Sequence, residues 1–330
     1  MPEILNAPAI GNVTPDTGLL ALSEGGNGLF RTGENGVQHI LRTADKKADF
    51  IVYDAHTMVY IHSAMGYPAI YPLYPAKIES PLKAVLMDLD GTSVKSEAFW
   101  IWIIEKTTAS LLGDSRFELE EADLPYVSGH SVSEHLQHCI RKYCPDKTVE
   151  AARSLYFEHT HREMKAIMQG KGRKNAFVPA PGLKDFLLKL KQHHIKIGLV
   201  TSGLHEKAMP EIYAAFQTLN LGDPEKFYDA IVTAGFPLRK GEVGTLGELN
   251  PKPHPWLYAE TARVGLGIDF AERHSVAGLE DSGAGVISIR LAGFAAIGIS
   301  GGNISESGVK PLLSGYHHTL EEIAKFLFNR

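Results

Sequence analysis

The stretch at residues 83–97, "KAVLMDLDGTSVKSE", decides how the chain is read. Ala84 to Met87 and then Leu89 are apolar, and they run straight into two carboxylates and a Gly-Thr turn. An apolar run of this length bounded by turn residues predicts a strand buried on both faces. An unpaired carboxylate is costly to bury. Asp88 and Asp90 are therefore expected where the strand leaves its sheet, next to something that stabilises two negative charges.

Outward from this stretch, strands and helices alternate. Further strands are predicted at 195–201, 230–234, 275–279 and 295–299, with helical patterns at 182–194, 205–219 and 254–265. A last helix, "TLEEIAKFLF", opens with a capping box of Thr319 and Glu322. This alternation predicts an α/β fold: a Rossmann-like parallel sheet with helices on both faces. One segment breaks the rhythm. From Val94 to Pro179 the text reads as helices only, which predicts an all-helical cap domain over 95–179 inserted into a core of 81–94 and 180–330. Such an insert lies at the carboxyl ends of the strands, where open α/β sheets bind ligands. Residues 1–80 form an N-terminal extension, Gly-rich at first and then built of β-branched and aromatic residues broken by Pro and Gly, which predicts short strands or hairpins. Its expected role is structural: an added edge, a cover or an oligomer contact.

Bulk properties narrow the function. With 33 basic and 38 acidic residues among 330, a net charge of -5 gives no reason to expect nucleic-acid or membrane-surface binding. The longest apolar run, at 98–104, is far too short to span a bilayer. The first residues lack a basic segment followed by an apolar one, so no secretory signal is expected. Cys139 and Cys144 are too few for a disulfide framework and lack zinc-ligand spacing. A cytoplasmic protein is the plain expectation. The chain has neither a G-x-G-x-x-G fingerprint nor a P-loop to support a nucleotide cofactor.

Four clusters fall at predicted strand ends: "DLDGT" (88–92), "VTSG" (200–203), "NPKPHPWLY" (250–258) and "GLEDSGAG" (278–285). In a parallel sheet these ends converge on one edge. Each cluster taken alone could be turn chemistry, and Lys252, between two prolines, could be an exposed loop lysine. Their ordered co-occurrence is what turns do not explain. Carboxylates gathered together raise one another's pKa unless a cation sits among them. The donors are hard oxygens without an obligatory His or Cys, which favours Mg²⁺. A hydroxyl and an ammonium are what the remaining oxygens of a phosphate would need.

On these four motifs and the helical insert, residues 82–330 resemble the haloacid dehalogenase-like hydrolases, in the capped branch of phosphoglycolate phosphatases, sugar phosphatases and β-phosphoglucomutases. The resemblance implies that Asp88 is the nucleophile, forming an aspartyl phosphate. It implies that Asp90 protonates the leaving oxygen and then activates water, while its carbonyl joins Asp88, Glu280 and Asp281 around Mg²⁺. Thr201 would hold phosphoryl oxygens with the amides of Ser202 and Gly91, and Lys252 would neutralise the developing charge. The family's cap closes over its substrate.

The second aspartate favours phosphate esters over halides, whose departure needs no proton. A phosphosugar mutase of the β-phosphoglucomutase type is the rival reading. The cap loop "VSGHSVSEHL" (127–136) offers His130 and Ser131 as substrate contacts but no Arg or Lys for a second phosphate, which favours hydrolysis. Relatives read "DGTLVDSE" where this chain has "DGTSVKSE". Lys95 thus either contacts an anionic substrate or salt-bridges across the hinge, the second being preferred. The expectation is a Mg²⁺-dependent phosphatase acting on a small phosphorylated metabolite, a sugar phosphate or a phosphoglycolate-like ester. A non-catalytic binding module is the alternative from another class.

Overall fold

The computed structural model describes residues 5–62, 68–123, 132–173, 175–234 and 249–329. Their contacts divide the chain into two compact units, one of Met1–Ser93, Ala180–Ala208 and Leu221–Arg330, the other of Val94–Pro179 with Met209–Asn220.

In the first unit the N-terminal residues form a five-stranded antiparallel sheet in sequential order: β1 (Leu20–Leu22), β2 (His39–Arg42), β3 (Ala48–Val52), β4 (Thr57–Ile61) and β5 (Ala69–Leu73). All five residues of β3 are buried, so both faces of this sheet are covered. Alternation along the strand sends Ile51 to one face, where it packs with Val37 and Ile40. Phe50 and Val52 point to the other and join Val59, Ile61 and Leu73 in the same apolar cluster as Leu86, Val200, Val286 and Ile289. The extension therefore shares a hydrophobic core with the α/β part, and each such fully buried side chain stabilises by roughly 1.5–3 kcal/mol. Arg290, buried in the helix Gly283–Leu291, adds polar ties. Its guanidinium donates to the carbonyls of Ala9 (2.7 Å) and Tyr74 (3.0 Å).

The α/β part is a six-stranded parallel sheet of β6 (Ala84–Asp88), β7 (Lys196–Leu204), β8 (Ala230–Ala234), β9 (Val276–Glu280), β10 (Ala295–Ile299) and β11 (Leu313–His317), in the order β8-β7-β6-β9-β10-β11. Helices Leu183–Gln192, Trp256–Glu260, Gly283–Leu291 and Leu320–Phe328 flank it. The last is capped as its sequence predicts: the Thr319 hydroxyl accepts from the Glu322 amide at 3.1 Å. Central β6 is buried throughout. Its register pairs Asp88 with Val200 and Met87 with Leu279, so Asp88, Thr201 and Glu280 lie side by side on three adjacent strands. The structure departs from the sequence reading at β11, which was not read as a strand, and at 254–265, where the helix starts at Trp256 and its last turn, Thr261–Gly265, is a π-helix.

The second unit is helical, with helices Glu97–Leu112, Val132–Tyr143 and Val149–Met168, the last capped by Thr148. A short antiparallel pair, Val94–Lys95 with Val178–Pro179, joins its first and last residues. Phe99 packs on Phe177 with ring centroids 4.4 Å apart, and Ile103 is buried beside them in the helix. Buried Asp123 accepts hydrogen bonds from Lys142 (2.9 Å), the Glu120 amide (3.1 Å) and Tyr143, and pairs with His138 at 2.7 Å. Burial works to raise its pKa, but these partners outweigh it and hold the carboxyl well below the usual range. Cys139 and Cys144 are buried, and burial pushes the Cys139 thiol up to about 11, which makes it an unreactive packing residue. His159 is likewise a packing group, bonded to Ser110 at 2.9 Å.

Candidate active site

Two strand ends, the interior of β7 and one loop build the site, all in the first unit. Asp88 is the last residue of β6, Glu280 the last of β9, and Asp281 follows it. The carboxylates of Asp88, Glu280 and Asp281 each place an oxygen within 4.8 Å of the others. Lys252 reaches in from the loop before helix Trp256–Glu260. Its ammonium donates to Asp88 Oδ1, to Glu280 Oε1 at 2.5 Å and, more weakly, to the Val200 carbonyl at 3.4 Å. The side chains of Asp88, Lys252 and Glu280 are 9%, 6% and 1% exposed, so their charges act on one another with little screening by water.

Burial and crowding set the electrostatics. Burial first, then Glu280 and Asp281, raise the Asp88 carboxyl well above the carboxylate range against the pull of Lys252. Asp281 is pushed up to about 7, by burial, then Glu280 and, further down, Asp90. Burial opposes the charge on Lys252, yet Asp88 and Glu280 together hold its pKa above the ordinary value. Three carboxylates against one ammonium leave two negative charges uncompensated, the deficit a divalent cation would balance.

The glycines shape this crowding. Gly91 has a φ of +87°, which favours glycine, and a β-carbon there would sit 2.0 Å from Asp281 Oδ2. A β-carbon on Gly302 would lie 2.5 Å from the same oxygen. Asp281 is wedged between two backbones that carry no side chain.

Glu280 is bound on both oxygens. Oε1 accepts from Lys252 and from the Tyr258 hydroxyl at 2.9 Å, and Oε2 accepts from the Ser282 amide at 3.1 Å and hydroxyl at 2.9 Å. A carboxylate offers about four lone-pair directions, and here all are taken. Tyr258 and Ser282 lie inside quoted motifs, but sequence reasoning gave them no part. Ser282 also caps the next helix by accepting from the Gly285 amide at 3.1 Å.

Of the other sequence candidates, buried Thr201 stands one residue past the partner of Asp88 on β7, and its hydroxyl oxygen accepts from the Gly203 amide at 2.9 Å. Ser202 Oγ accepts from the Lys252 backbone amide at 3.1 Å, tying two of the motif loops together. Asp90 is half-buried just past β6. Lys95 belongs to the second unit, is exposed, and makes no ion pair among the described residues. His130 and Ser131 lie outside the described residues.

Residues 85–234 match the family model of the haloacid dehalogenase-like hydrolases. No curated protein sequence matches the chain. Solved structures similar to it include a HAD-superfamily hydrolase of subfamily IA, variant 1, from Geobacter sulfurreducens (18% identity, TM-score 0.52, covering 76% of this chain and 99% of that one). Another is a predicted phosphoglycolate phosphatase from Haemophilus somnus (17% identity, TM-score 0.53, 74% and 97%). A third is CbbY from Rhodobacter sphaeroides in complex with phosphate (18% identity, TM-score 0.50, 73% and 96%). These likenesses carry the fold, a parallel α/β core with a helical insert, and residues 85–234 are similar to the haloacid dehalogenase-like hydrolases.

Proposed function

We propose that the protein is a Mg²⁺-dependent phosphatase that hydrolyses a small phosphate monoester through an aspartyl phosphate on Asp88. The observation that carries this reading is the Lys252 ammonium held between Asp88 and Glu280 while Asp281 stands beside them. The donor set fits a hard divalent cation: oxygen only, buried, and short of positive charge. Asp88 and Asp281 would hold it, with the Asp90 carbonyl that the family pattern supplies. Glu280 stands in the same acidic cluster and, through Oε1, also anchors Lys252. When bound, Mg²⁺ supplies positive charge against the phosphoryl oxygens and keeps the nucleophile ionised.

The chain's own groups then divide the work. An Asp88 carboxylate oxygen attacks phosphorus as the ester oxygen leaves, and Asp90 gives that oxygen its proton. Asp90, now a carboxylate, takes a proton from the water that attacks the phosphoryl group and frees Asp88. Lys252 offsets charge on the nucleophile and the transferring group without itself losing a proton, since its two carboxylate partners hold it charged. Thr201 receives the Gly203 amide on its oxygen, which leaves the hydroxyl hydrogen to donate to a phosphoryl oxygen. The cap loop sequence at 127–136, without Arg or Lys, supports hydrolysis over transfer between two phosphate positions.

The test is release of phosphate from an aryl phosphate, with and without Mg²⁺, in the wild type and Asp88→Asn. Activity that ignores both the cation and the substitution defeats the proposal. Conversion of β-glucose 1-phosphate to glucose 6-phosphate instead of free phosphate would assign the mutase reaction. A screen of sugar phosphates and phosphoglycolate then ranks substrates.

A further inference from the structure

The loop that carries Lys252 is held from the N-terminal sheet. The loop turns tightly, the His254 amide donating to the Pro251 carbonyl at 3.2 Å. His254 is 3% exposed. Its Nδ1 is hydrogen-bonded to the hydroxyl of Tyr71, on β5, at 2.8 Å, across 183 residues of sequence. Its carbonyl accepts from Ser288 Oγ at 2.6 Å, on the helix that follows Glu280 and Asp281. The Tyr71 ring stands edge-on to both His254 and Trp256, with centroids 5.9 and 5.8 Å away.

A histidine is a poor filler for this place. Its Nε2 is buried without a hydrogen-bond partner among the described residues, and burial lowers the pKa of the ring, favouring its neutral form. An aliphatic side chain would fill the space without that orphaned nitrogen. Among the described residues, the one hydrogen bond of the imidazole ring is with Tyr71. Lys252 lies two residues away, and its flexible side chain delivers the ammonium between Asp88 and Glu280 only if the loop backbone is fixed.

We propose that Tyr71 is a positioning residue for Lys252: through His254, the N-terminal sheet sets the loop that carries the site's ammonium. The extension is thereby part of the catalytic apparatus as well as a cover over one face of the core. This rests on the phosphatase reading for its kinetic consequence, but its structural consequence is measurable without any reaction.

The experiment compares wild type, Tyr71→Phe, Ser288→Ala and, as a control in the same sheet, Tyr60→Phe, which removes only the acceptor of an Asn27 amide hydrogen bond. Two quantities are read. One is kcat and KM for 4-nitrophenyl phosphate with Mg²⁺. The other is the rate at which an amine-reactive reagent labels Lys252, followed by peptide mass spectrometry against Lys325, whose side chain is 64% exposed. Tyr71→Phe and Ser288→Ala are expected to lower kcat about tenfold with KM nearly unchanged, as small misplacements of catalytic groups do, and to label Lys252 several times faster. Tyr60→Phe is expected to match the wild type in both. If Tyr71→Phe matches the wild type in both quantities, or if Tyr60→Phe shifts them equally, the proposal is overturned. If the wild type itself releases no phosphate, the phosphatase reading fails and the labelling ratio alone decides this one.

Discussion

Gly91 and Asp281 approach so closely that a single β-carbon on the glycine would lie 2.0 Å from a carboxylate oxygen of the aspartate. That distance is impossible, so in Gly91→Ala the Asp281 side chain must move. The substitution also places a side chain at a φ of +87°, which costs roughly 1–2 kcal/mol in its own right. We expect Gly91→Ala to lose about 100-fold in phosphate release and to bind Mg²⁺ more weakly by calorimetry. Gly113→Ala separates the two causes. It has a φ of +71° and nothing within 4 Å of its β-carbon, so it should lose stability and keep activity. Equal activity losses in both variants would show that contact with Asp281 is not the reason.

Lys252 opposes three carboxylates. Replacing it with Met keeps much of the side-chain volume and removes the charge. Asp88 and Glu280 then lose their buried partner, and breaking a buried pair in this way costs about 3–5 kcal/mol. We expect Lys252→Met to lower kcat at least about 10³-fold and to be less stable to urea than the wild type by an amount in that range. The companion variant Glu280→Gln can keep the Ser282 amide and hydroxyl contacts on its one carbonyl oxygen, while its NH2 group then faces Lys252 and Tyr258 and weakens the hold on the ammonium. If Glu280 anchors Lys252 and does not ligate the cation, Glu280→Gln should lower kcat while leaving Mg²⁺ affinity within a few-fold of the wild type. A collapse of Mg²⁺ affinity in Glu280→Gln would place it in the ligand set.

A cation that relieves the crowding must also stabilise the fold. At a free Mg²⁺ concentration about 100 times its dissociation constant, linkage gives about 2.7 kcal/mol, which for a chain of this length corresponds to a rise in Tm of about 4 °C. Chelation should reverse it. Asp281→Asn should abolish the Mg²⁺-dependent rise, because the site then lacks a charge and one of the two carboxylate oxygens held beside Gly91 and Gly302. A rise that persists undiminished in Asp281→Asn would place the cation elsewhere.

How far the sequence discloses this site depends on how local each signal is. The end of β6 was legible because an apolar run meeting two carboxylates is a contradiction unless the strand stops there. The motif clusters followed, since each is a short string at a predicted strand end. What Glu280 does was not legible: its partners Tyr258 and Ser282 act through side-chain geometry, and nothing in "GLEDSGAG" separates a ligand from an anchor. Tyr71 and His254 are 183 residues apart, a pairing no local pattern carries. β11 escaped for another reason. It is one of the two edge strands, only half-buried, and "LSGYH" lacks the apolar run that marked the interior strands. In the extension, alternation announced strands, but the order of the sheet and the sharing of its core with the α/β part are long-range facts.

The N-terminal sheet has its own acid-sensitive point, Asp49 on β3. Its side chain is fully buried and receives Arg42 through two bonds, at 2.6 and 2.8 Å, and the Gly26 amide at 2.7 Å, with His62 Nε2 lying 2.9 Å away. Burial pushes its pKa up, but Arg42, the amide and His62 outweigh this and hold it below the ordinary value. The folded-state pKa is thus depressed relative to the unfolded chain. The stabilisation is present above about pH 4, the unfolded value, and is lost as pH falls through the folded one. Asp49→Asn should therefore cost about 3 kcal/mol at pH 7, where it leaves Arg42 without its charge partner. That cost should shrink as pH drops below about 4, because the wild type is then losing the same interaction. Urea denaturation of both proteins across pH 3 to 7 measures it. Parallel stability curves, with a constant gap between them, would show that the charge on Asp49 contributes nothing to holding the sheet.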